Sequence, residues 1–326
     1  METKKQRVFS GIRPTGGLHI GNYLGSIKQW VDLQGQGNNC VFAVVDYHAL
    51  TTHQENISKN SIELAKWVIA SGVDPEKSPI ILQSQIPVHT ELAWIFACLE
   101  PLGELYRMTQ FKEKSGDEQE GSTKTGLLTY PLLMASDILL YQTDIVPVGE
   151  DQKQHVELCR DIAKKFNHKF GEVFTIPKVT LAQMPRVMSL KNPGKKMSKT
   201  GGDGIALSDS PEQIKQKIMS AVTDTAPSGE MSRGVKNLFM LLKTFAPELQ
   251  NKFEKEYANK TIKYSDLKQE LGDAIAKHLQ PIQAKYRQIS DEKVKKIFSA
   301  SAEKVLPLAE KTLLEIKKAV GILWKN

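Results

Sequence analysis

Residues 11–34 read GIRPTGGLHIGNYLGSIKQWVDLQ, and this stretch decides the fold that the sequence predicts. A short apolar strand, Val8–Ser10, precedes it, and the proline and glycines at its start predict a loop. From Leu18 onward the apolar residues take helical spacing, which ends near Gly35. A strand, a loop and a helix in immediate succession form the first unit of a βαβ fold.

The same rhythm continues through the first half of the chain. Val41–Asp46 and Pro79–Gln83 predict two further buried strands, and Ser61–Ser71 predicts a helix between them. We expect a parallel sheet with helices on its faces. The later predicted elements are a helix after Pro131 that aligns Tyr130, Met134, Asp137 and Tyr141, a strand at Asp144–Val148, and a helix from Gly149 to about Asn167.

Three segments follow from this pattern. Residues 1–187 form the α/β part, with a polar, Gly- and Ser-containing segment at about 112–125 that predicts an exposed, mobile insertion. Residues 188–204 form a lysine-containing loop. Residues 205–326 form a second domain, predicted to be helical because almost no strand-like alternation follows Pro211.

Charge is distributed unevenly along the 326 residues. The net charge of +7 comprises −3 over residues 1–184, +4 over 185–204 and +6 over 205–326. The positive charge therefore begins abruptly at one short loop, which favours an anionic partner for that loop and the segment after it.

Several classes of protein are excluded. The basic start METKKQR is not followed by an apolar stretch of a secretory signal, and the most apolar segment is interrupted by Pro131 and Asp137, so we expect a soluble, cytoplasmic protein without membrane contact. Cys40, Cys98 and Cys159 form no CxxC pair, which argues against a disulfide framework and a protein-bound structural metal.

Two segments carry the pattern of anion binding. Pro14–Asn22 lies after the first strand, where open α/β sheets bind ligands, and its glycines allow backbone N–H groups to approach an anion. Lys195–Gly202 places three lysines and a serine among glycines, in a loop able to close over a polyphosphate. Taken singly, a plain glycine-rich turn and a solvated charge run explain these segments as well.

Together they resemble a known family. HIGN at His19–Asn22 and KMSKT at Lys196–Thr200 resemble the HIGH and KMSKS signatures of class I aminoacyl-tRNA synthetases. The match is closest to the bacterial tryptophanyl-tRNA synthetase family, through Gly103–Lys112, LTYPLLMASDILLY at Leu128–Tyr141, Asp144–His155 and AVTD at Ala221–Asp224.

The resemblance implies a Rossmann-like catalytic domain, a KMSKS-type loop at 188–204 and a helical domain that binds the tRNA anticodon. His19, Asn22, Lys196 and Lys199 match its catalytic positions. Arg13 replaces a glutamine and Thr200 a serine that are usual in the family. The implied ATP contacts are Arg13, Pro14, Thr15, Gly21, Asn22, Gly149, Glu150, Asp151, Val187, Lys196, Met197, Ser198, Lys199 and Thr200.

Asp137 matches the residue that recognises the indole N–H of tryptophan. A carboxyl group on an otherwise apolar helix face needs a partner, and we expect a side chain without a donor to leave it unpaired. The other implied tryptophan contacts are Phe9, His48, Gln110, Tyr130, Met134, Val146 and Val148, of which Met134 and the valines are equally consistent with core packing.

The implied reaction is ligation of L-tryptophan to tRNA(Trp) with ATP, Mg²⁺ accompanying the nucleotide, in a homodimer. Two alternatives remain at the level of sequence. One is a tyrosyl-tRNA synthetase or another nucleotidylyltransferase with a HIGH-type loop. The other is a non-catalytic, RNA-binding paralogue.

Overall fold

A computed structural model describes residues 5–52, 55–116, 123–181, 186–198, 204–224 and 230–323. Within these ranges, five strands form one sheet in the order β3-β2-β1-β4-β5, and every neighbouring pair is parallel. This confirms the predicted α/β sheet, in which β2 and β3 lie on one side of β1 and β4 and β5 lie on the other. The strands are β1 (Arg7–Ile12), β2 (Asn39–Val44), β3 (Ile80–Leu82), β4 (Ile145–Val148) and β5 (Lys178–Leu181).

The central strands are buried on both faces, as their continuous apolar runs predict. Phe42 of β2 packs toward one face, where Trp30 stacks on it with ring centroids 4.5 Å apart. Ala43, the next residue, packs toward the opposite face together with Phe9 of β1. Alternate residues of one strand thus contribute to two separate cores, one on each side of the sheet.

Helices cover both faces. The helix predicted from Leu18 begins at Ile20 and includes a π-helical turn over Tyr23–Ile27. In the first half the helices are α1 (Ile20–Asn22), α2 (Lys28–Gly35), α3 (Asp46–Ala49), α4 (Ile57–Ala70), α5 (Val88–Leu99), α6 (Leu102–Tyr106), α7 (Thr109–Gly116), α8 (Thr125–Leu139) and α9 (Lys153–Phe170). One core contains α2 and α4, and the other contains α5, α8 and α9.

Two local predictions need correction. Helix α8 begins at Thr125, not after Pro131, because one proline removes a single intrahelical hydrogen bond while Leu127, Leu132 and Ala135 are buried around it. The segment predicted as an insertion is helical over residues 112–116, which end α7, and residues 117–122 lie outside the described ranges.

The described part of the second half is helical, as predicted. Helix α13 packs on α10 and α4, so it extends the core that holds Trp30. Helix α14 returns to the sheet and packs against β3, α4 and α5, and its last turns join the other core. The helices are α10 (Pro211–Met219), α11 (Arg233–Phe245), α12 (Pro247–Ala258), α13 (Tyr264–Gln288) and α14 (Asp291–Ala319).

The division into domains at 187 and 205 remains a prediction, since both cores combine residues from the two halves. Within the described ranges, no helix has the combined length and apolar character that crossing a membrane requires.

Candidate active site

A cleft of about 330 Å³ opens at the carboxyl ends of β1 and β4. The strand order reverses between these two neighbours, and at such a point the chain leaves the sheet in opposite directions. The cleft therefore arises from the topology itself. Helix α8 supplies a third wall through Tyr130, Met134 and Asp137.

The cleft gathers many of the residues singled out in the sequence. Five predicted ATP contacts line it: Arg13, Thr15, Asn22, Gly149 and Asp151. All eight predicted tryptophan contacts line it as well: Phe9, His48, Gln110, Tyr130, Met134, Asp137, Val146 and Val148. The described residues of the prediction that do not line it are Pro14, His19, Gly21, Glu150, Val187, Lys196, Met197 and Ser198. Lys199 and Thr200 lie outside the described residues.

Asp137 is the most enclosed polar group of the cleft, with 2% of its surface exposed. Gln83 Nε2 contacts its two carboxylate oxygens at 2.7 and 2.9 Å. His48 Nε2 lies 2.8 Å from Oδ2, and His89 Nδ1 lies 2.6 Å from Oδ1. The far nitrogen of His89, Nε2, lies 2.8 Å from the Tyr141 hydroxyl.

This network sets the charge of Asp137. Burial acts to raise its pKa, but the charge of His89 and the hydrogen bonds from His48 and His89 outweigh burial and lower that pKa to about 2. The group is thus an ionised acceptor. The expectation that Asp137 lacks a partner without ligand is wrong, because α3, α5 and the turn after β3 already bring three donors to it.

Gln83 and His89 are the site residues that the sequence analysis missed. Both are fully buried, and neither lines the cleft. Gln83 directly follows β3, a position at the same sheet edge as the cleft, so its polarity was an available signal. His89 lies inside a largely apolar helix, and nothing in its neighbourhood distinguishes it from a structural histidine.

A second chain of hydrogen bonds runs from Tyr130 through Gln110 to the backbone of Asp151. The Tyr130 hydroxyl lies 2.7 Å from His155 Nε2 and donates to Gln110 Oε1 at 3.2 Å, and burial raises the pKa of Tyr130 to about 12. Gln110 Nε2 donates to the backbone carbonyl of Asp151 at 3.2 Å. This chain connects α8 with the turn that follows β4.

His19 has a local structural function. Its Nδ1 accepts from the backbone N–H of Gly21 at 3.1 Å, and Asn22 Oδ1 accepts from the backbone N–H of His19 at 3.2 Å. This capping box begins the helix and fixes the orientation of Asn22, which lines the cleft. The predicted role of His19 as a donor facing phosphate stays a prediction.

The first signature segment is hydrogen-bonded to residues 205 and 207, in the second half of the chain. Backbone N–H groups of Ile20 and Leu207 donate to the carbonyls of Ile205 and Leu18, each at 2.9 Å. The loop that contains His19 is therefore hydrogen-bonded to the residues that immediately follow the lysine loop.

Charged side chains lie near Asp151, which lines the cleft after β4. Arg186 Nη2 lies 3.4 Å from its Oδ1. Burial acts to raise the pKa of Asp151, but a hydrogen bond from Gln152 and the charges of Lys196 and Arg186 lower it. Lys196 and Arg186 therefore supply cationic character beside the cleft.

Comparison with known proteins agrees with this geometry. A family model for class I tRNA synthetases (W and Y) matches residues 1–280. The tryptophan–tRNA ligase of Caldanaerobacter subterraneus subsp. tengcongensis is 45% identical and covers 98% of this chain and 100% of its own length. That of Helicobacter pylori strain J99 is 44% identical, with 98% and 100% covered.

Solved structures agree with these relatives. The tryptophanyl-tRNA synthetase of Mycoplasma pneumoniae superposes with a TM-score of 0.87 at 36% identity, over 97% of this chain and 98% of its own. The Campylobacter jejuni synthetase complexed with ADP and tryptophan gives 0.83 at 34%, over 97% and 99%. The chain belongs to the class I tRNA synthetase family (W and Y).

Proposed function

We propose that this chain is a tryptophan–tRNA ligase that binds tryptophan at the Asp137 end of the cleft and ATP at the Asp151 end. The observation that carries the proposal is an ionised, buried carboxylate among the apolar side chains of Phe9, Met134 and Val146. An indole presents one N–H donor on an otherwise apolar ring, which is the complement of such a wall. The relative from C. jejuni, which binds tryptophan and ADP, supports both halves of the assignment.

The first step joins the two substrates. A carboxylate oxygen of L-tryptophan attacks the α-phosphorus of ATP, the bond from that phosphorus to the oxygen bridging to the β-phosphate breaks, and pyrophosphate leaves. Mg²⁺ bound with the nucleotide would neutralise part of the charge on its phosphates. Positioning and charge stabilisation supply most of the rate acceleration in such transfers. The cleft holds both reactants side by side, while Lys196 and Lys199 are assigned to the charge that develops on pyrophosphate.

In the second step a hydroxyl of the 3′-terminal adenosine of tRNA(Trp) attacks the carbonyl carbon of tryptophanyl-adenylate, and AMP leaves. We assign tRNA binding to the helical half, where the net charge over residues 205–326 is +6. Such binding releases counterions, so raising salt from about 50 to 200 mM weakens tRNA affinity at least ~10-fold, while tryptophan affinity changes little. Equal salt dependence of the two affinities would contradict this assignment.

Amino-acid-dependent exchange of pyrophosphate into ATP tests the proposed activity. L-tryptophan is expected to drive exchange, and L-tyrosine and L-phenylalanine are not. Exchange driven by tyrosine alone would establish a tyrosyl-tRNA synthetase instead. If none of the amino acids drives exchange but the protein still binds tRNA, it is a non-catalytic RNA-binding protein.

We also propose that the protein is a homodimer. We assign the reaction to the cytoplasm, where aminoacyl-tRNA is used in protein synthesis. Three large apolar side chains on the consecutive helices α5 and α6 support the dimer: Trp94 is 71% exposed, Leu102 55% and Tyr106 49%. Exposed apolar side chains of this size are typical of protein interfaces. Sedimentation should give a dimer, and Trp94→Ser should shift it toward monomer.

A further inference from the structure

Three buried side chains lie behind Asp137: Gln83 and His89 contact its carboxylate, and Tyr141 contacts His89. His89 and Gln83 have no exposed surface, and Tyr141 has 3%. His48, by contrast, lines the cleft. A ligand that enters the cleft thus meets Asp137 and His48 but reaches none of the three buried groups.

The charge of Asp137 fixes the position of the proton that it shares with His89. The pKa of Tyr141 is raised well above its ordinary value by burial and by the charge of Asp137, so its hydroxyl keeps its proton. That hydroxyl lies 2.8 Å from His89 Nε2, and because ionised Asp137 has no proton to donate, the hydrogen of the contact between Asp137 and His89 lies on Nδ1. Nδ1–H then donates to Asp137 Oδ1 at 2.6 Å.

The position of Tyr141 is itself well defined. Its ring stacks on Phe9 with centroids 5.5 Å apart and planes 10° from parallel. Phe9 is a wall of the cleft. The chain Phe9–Tyr141–His89–Asp137 therefore connects the apolar wall to the buried carboxylate of the site.

We propose that His89, oriented by Tyr141, is the positioning residue that makes the site selective for a ring bearing an N–H donor. The proposal rests on the proposed function, since it names the group that controls recognition at the tryptophan end. Without the Nδ1–H donor, Asp137 keeps Gln83 and His48 but loses a charge-assisted hydrogen bond, so its orientation is less restricted and it takes up a proton more readily. A protonated carboxyl is both donor and acceptor, so it no longer discriminates in favour of an N–H.

Two substitutions at position 89 separate this role from simple packing. The amide nitrogen of asparagine occupies the place of histidine Nδ1 and retains a donor for Asp137. The amide of glutamine reaches the place of Nε2, beside Tyr141, and leaves Asp137 without that donor. His89→Asn and His89→Gln are therefore a matched pair, and Tyr141→Phe removes only the hydroxyl while keeping the ring against Phe9.

The measurement is pyrophosphate exchange with L-tryptophan and with β-(3-benzothienyl)-L-alanine, in which sulfur replaces the indole N–H. The ratio of their kcat/KM values reports selectivity for the N–H. We expect His89→Gln to lower this ratio at least ~10-fold, His89→Asn to keep it within ~3-fold of the unsubstituted protein, and Tyr141→Phe to lower it by ~3- to 10-fold. The KM for ATP should not change in any of them.

The outcomes separate this inference from the proposed function. If the unsubstituted protein exchanges pyrophosphate without responding to tryptophan, the proposed function fails. If it prefers tryptophan and both His89→Gln and Tyr141→Phe keep that preference, only the role of His89 fails. Should His89→Gln unfold, as judged by thermal denaturation, Tyr141→Phe decides: an unchanged ratio overturns the proposal.

Discussion

The two ends of the cleft are built in opposite ways. At the Asp137 end a buried carboxylate has four contacts from three protein donors, and its charge state is set before any ligand arrives. At the Asp151 end the charged groups are partly exposed, with side-chain exposures of 42% for Asp151 and 51% for Arg186. The Asp137 end is preorganised by burial, whereas the Asp151 end presents partly exposed charged groups.

This difference reflects the two ligands. An indole offers one weak donor. Its recognition therefore requires an acceptor whose position and charge are already fixed before binding, so that no binding free energy is lost in ordering it. A triphosphate offers several full charges, and cations on flexible side chains can follow them through the reaction. Substitutions at the Asp137 end should therefore lower the stability of the fold, whereas substitutions at the Asp151 end should lower the rate of adenylate formation.

The largest contrast is expected between Asp137→Ala and Asp151→Ala. Asp137→Ala leaves buried donors on Gln83, His48 and His89 without an acceptor, and loss of one partner of such a buried ionic group costs about 3–5 kcal/mol of unfolding free energy. Asp151→Ala removes only partly exposed contacts, so its cost should be below ~1 kcal/mol. Urea denaturation measures both, and comparable losses would contradict the contrast.

Lys196→Ala tests the rate side of the comparison. Removing one group that stabilises developing charge typically lowers kcat by ~100- to 1000-fold, and we expect that range for adenylate formation with tryptophan affinity unchanged. Lys191→Ala is the matched control, because Lys191 is an exposed lysine of the same loop. Lys199→Ala should behave like Lys196→Ala. A normal rate in Lys196→Ala would remove this lysine from the mechanism.

A smaller effect is expected from Gly149→Ala. A Cβ at this position would lie 2.9 Å from Asp151 Oδ1, so the carboxylate must turn or the backbone must shift. We expect the KM for ATP to rise about 10-fold and the KM for tryptophan to stay constant. Gly35→Ala is the control, since a Cβ there meets no atom within 4 Å. A larger change in the KM for tryptophan would show that the two ends are not separable.

The sequence predicted those parts of the molecule that are encoded by local pattern. Val41–Asp46 is a continuous apolar run, and it became β2 within two residues at either end. Strand β5 was missed because Lys178–Leu181 is short and begins with a charge, as edge strands do. The helical character of residues after Pro211 was predicted, but the return of α14 to the sheet was not, since nothing local specifies which surface a long helix covers.

The site residues also fall into two groups: those that a local motif identifies and those that only the fold brings together. Asp137 and the glycines of the first loop stand in recognisable motifs, so they could be identified from the sequence. The donors to Asp137 could not, because His89 and Gln83 are 48 and 54 residues away along the chain and meet it only through folding. Equally, the backbone hydrogen bond between Leu207 and Leu18 joins the first loop to a residue that lies far from it in the sequence.

The smallest expected effect concerns a contact between the first loop's helix and the second half of the chain. The Tyr23 hydroxyl, at the start of the π-helical turn, lies 2.9 Å from His278 Nε2 on α13. Burial and the charge of Lys28 lower the pKa of His278 below its ordinary value of 6.5. The folded protein then binds fewer protons than the unfolded chain, so stability is complete above pH 6.5 and is lost as the pH falls below it.

His278→Gln isolates this effect, because its amide oxygen can accept from Tyr23 but cannot take up a proton. We expect the unfolding free energy of the unsubstituted protein, relative to His278→Gln, to decrease between pH 8 and pH 5.5, since all other histidines cancel in the difference. Added salt should reduce the decrease by screening Lys28. A difference that stays constant with pH would show that His278 has the same pKa in the folded protein and in the unfolded chain. The contact between Tyr23 and His278 would then not depend on the charge of His278.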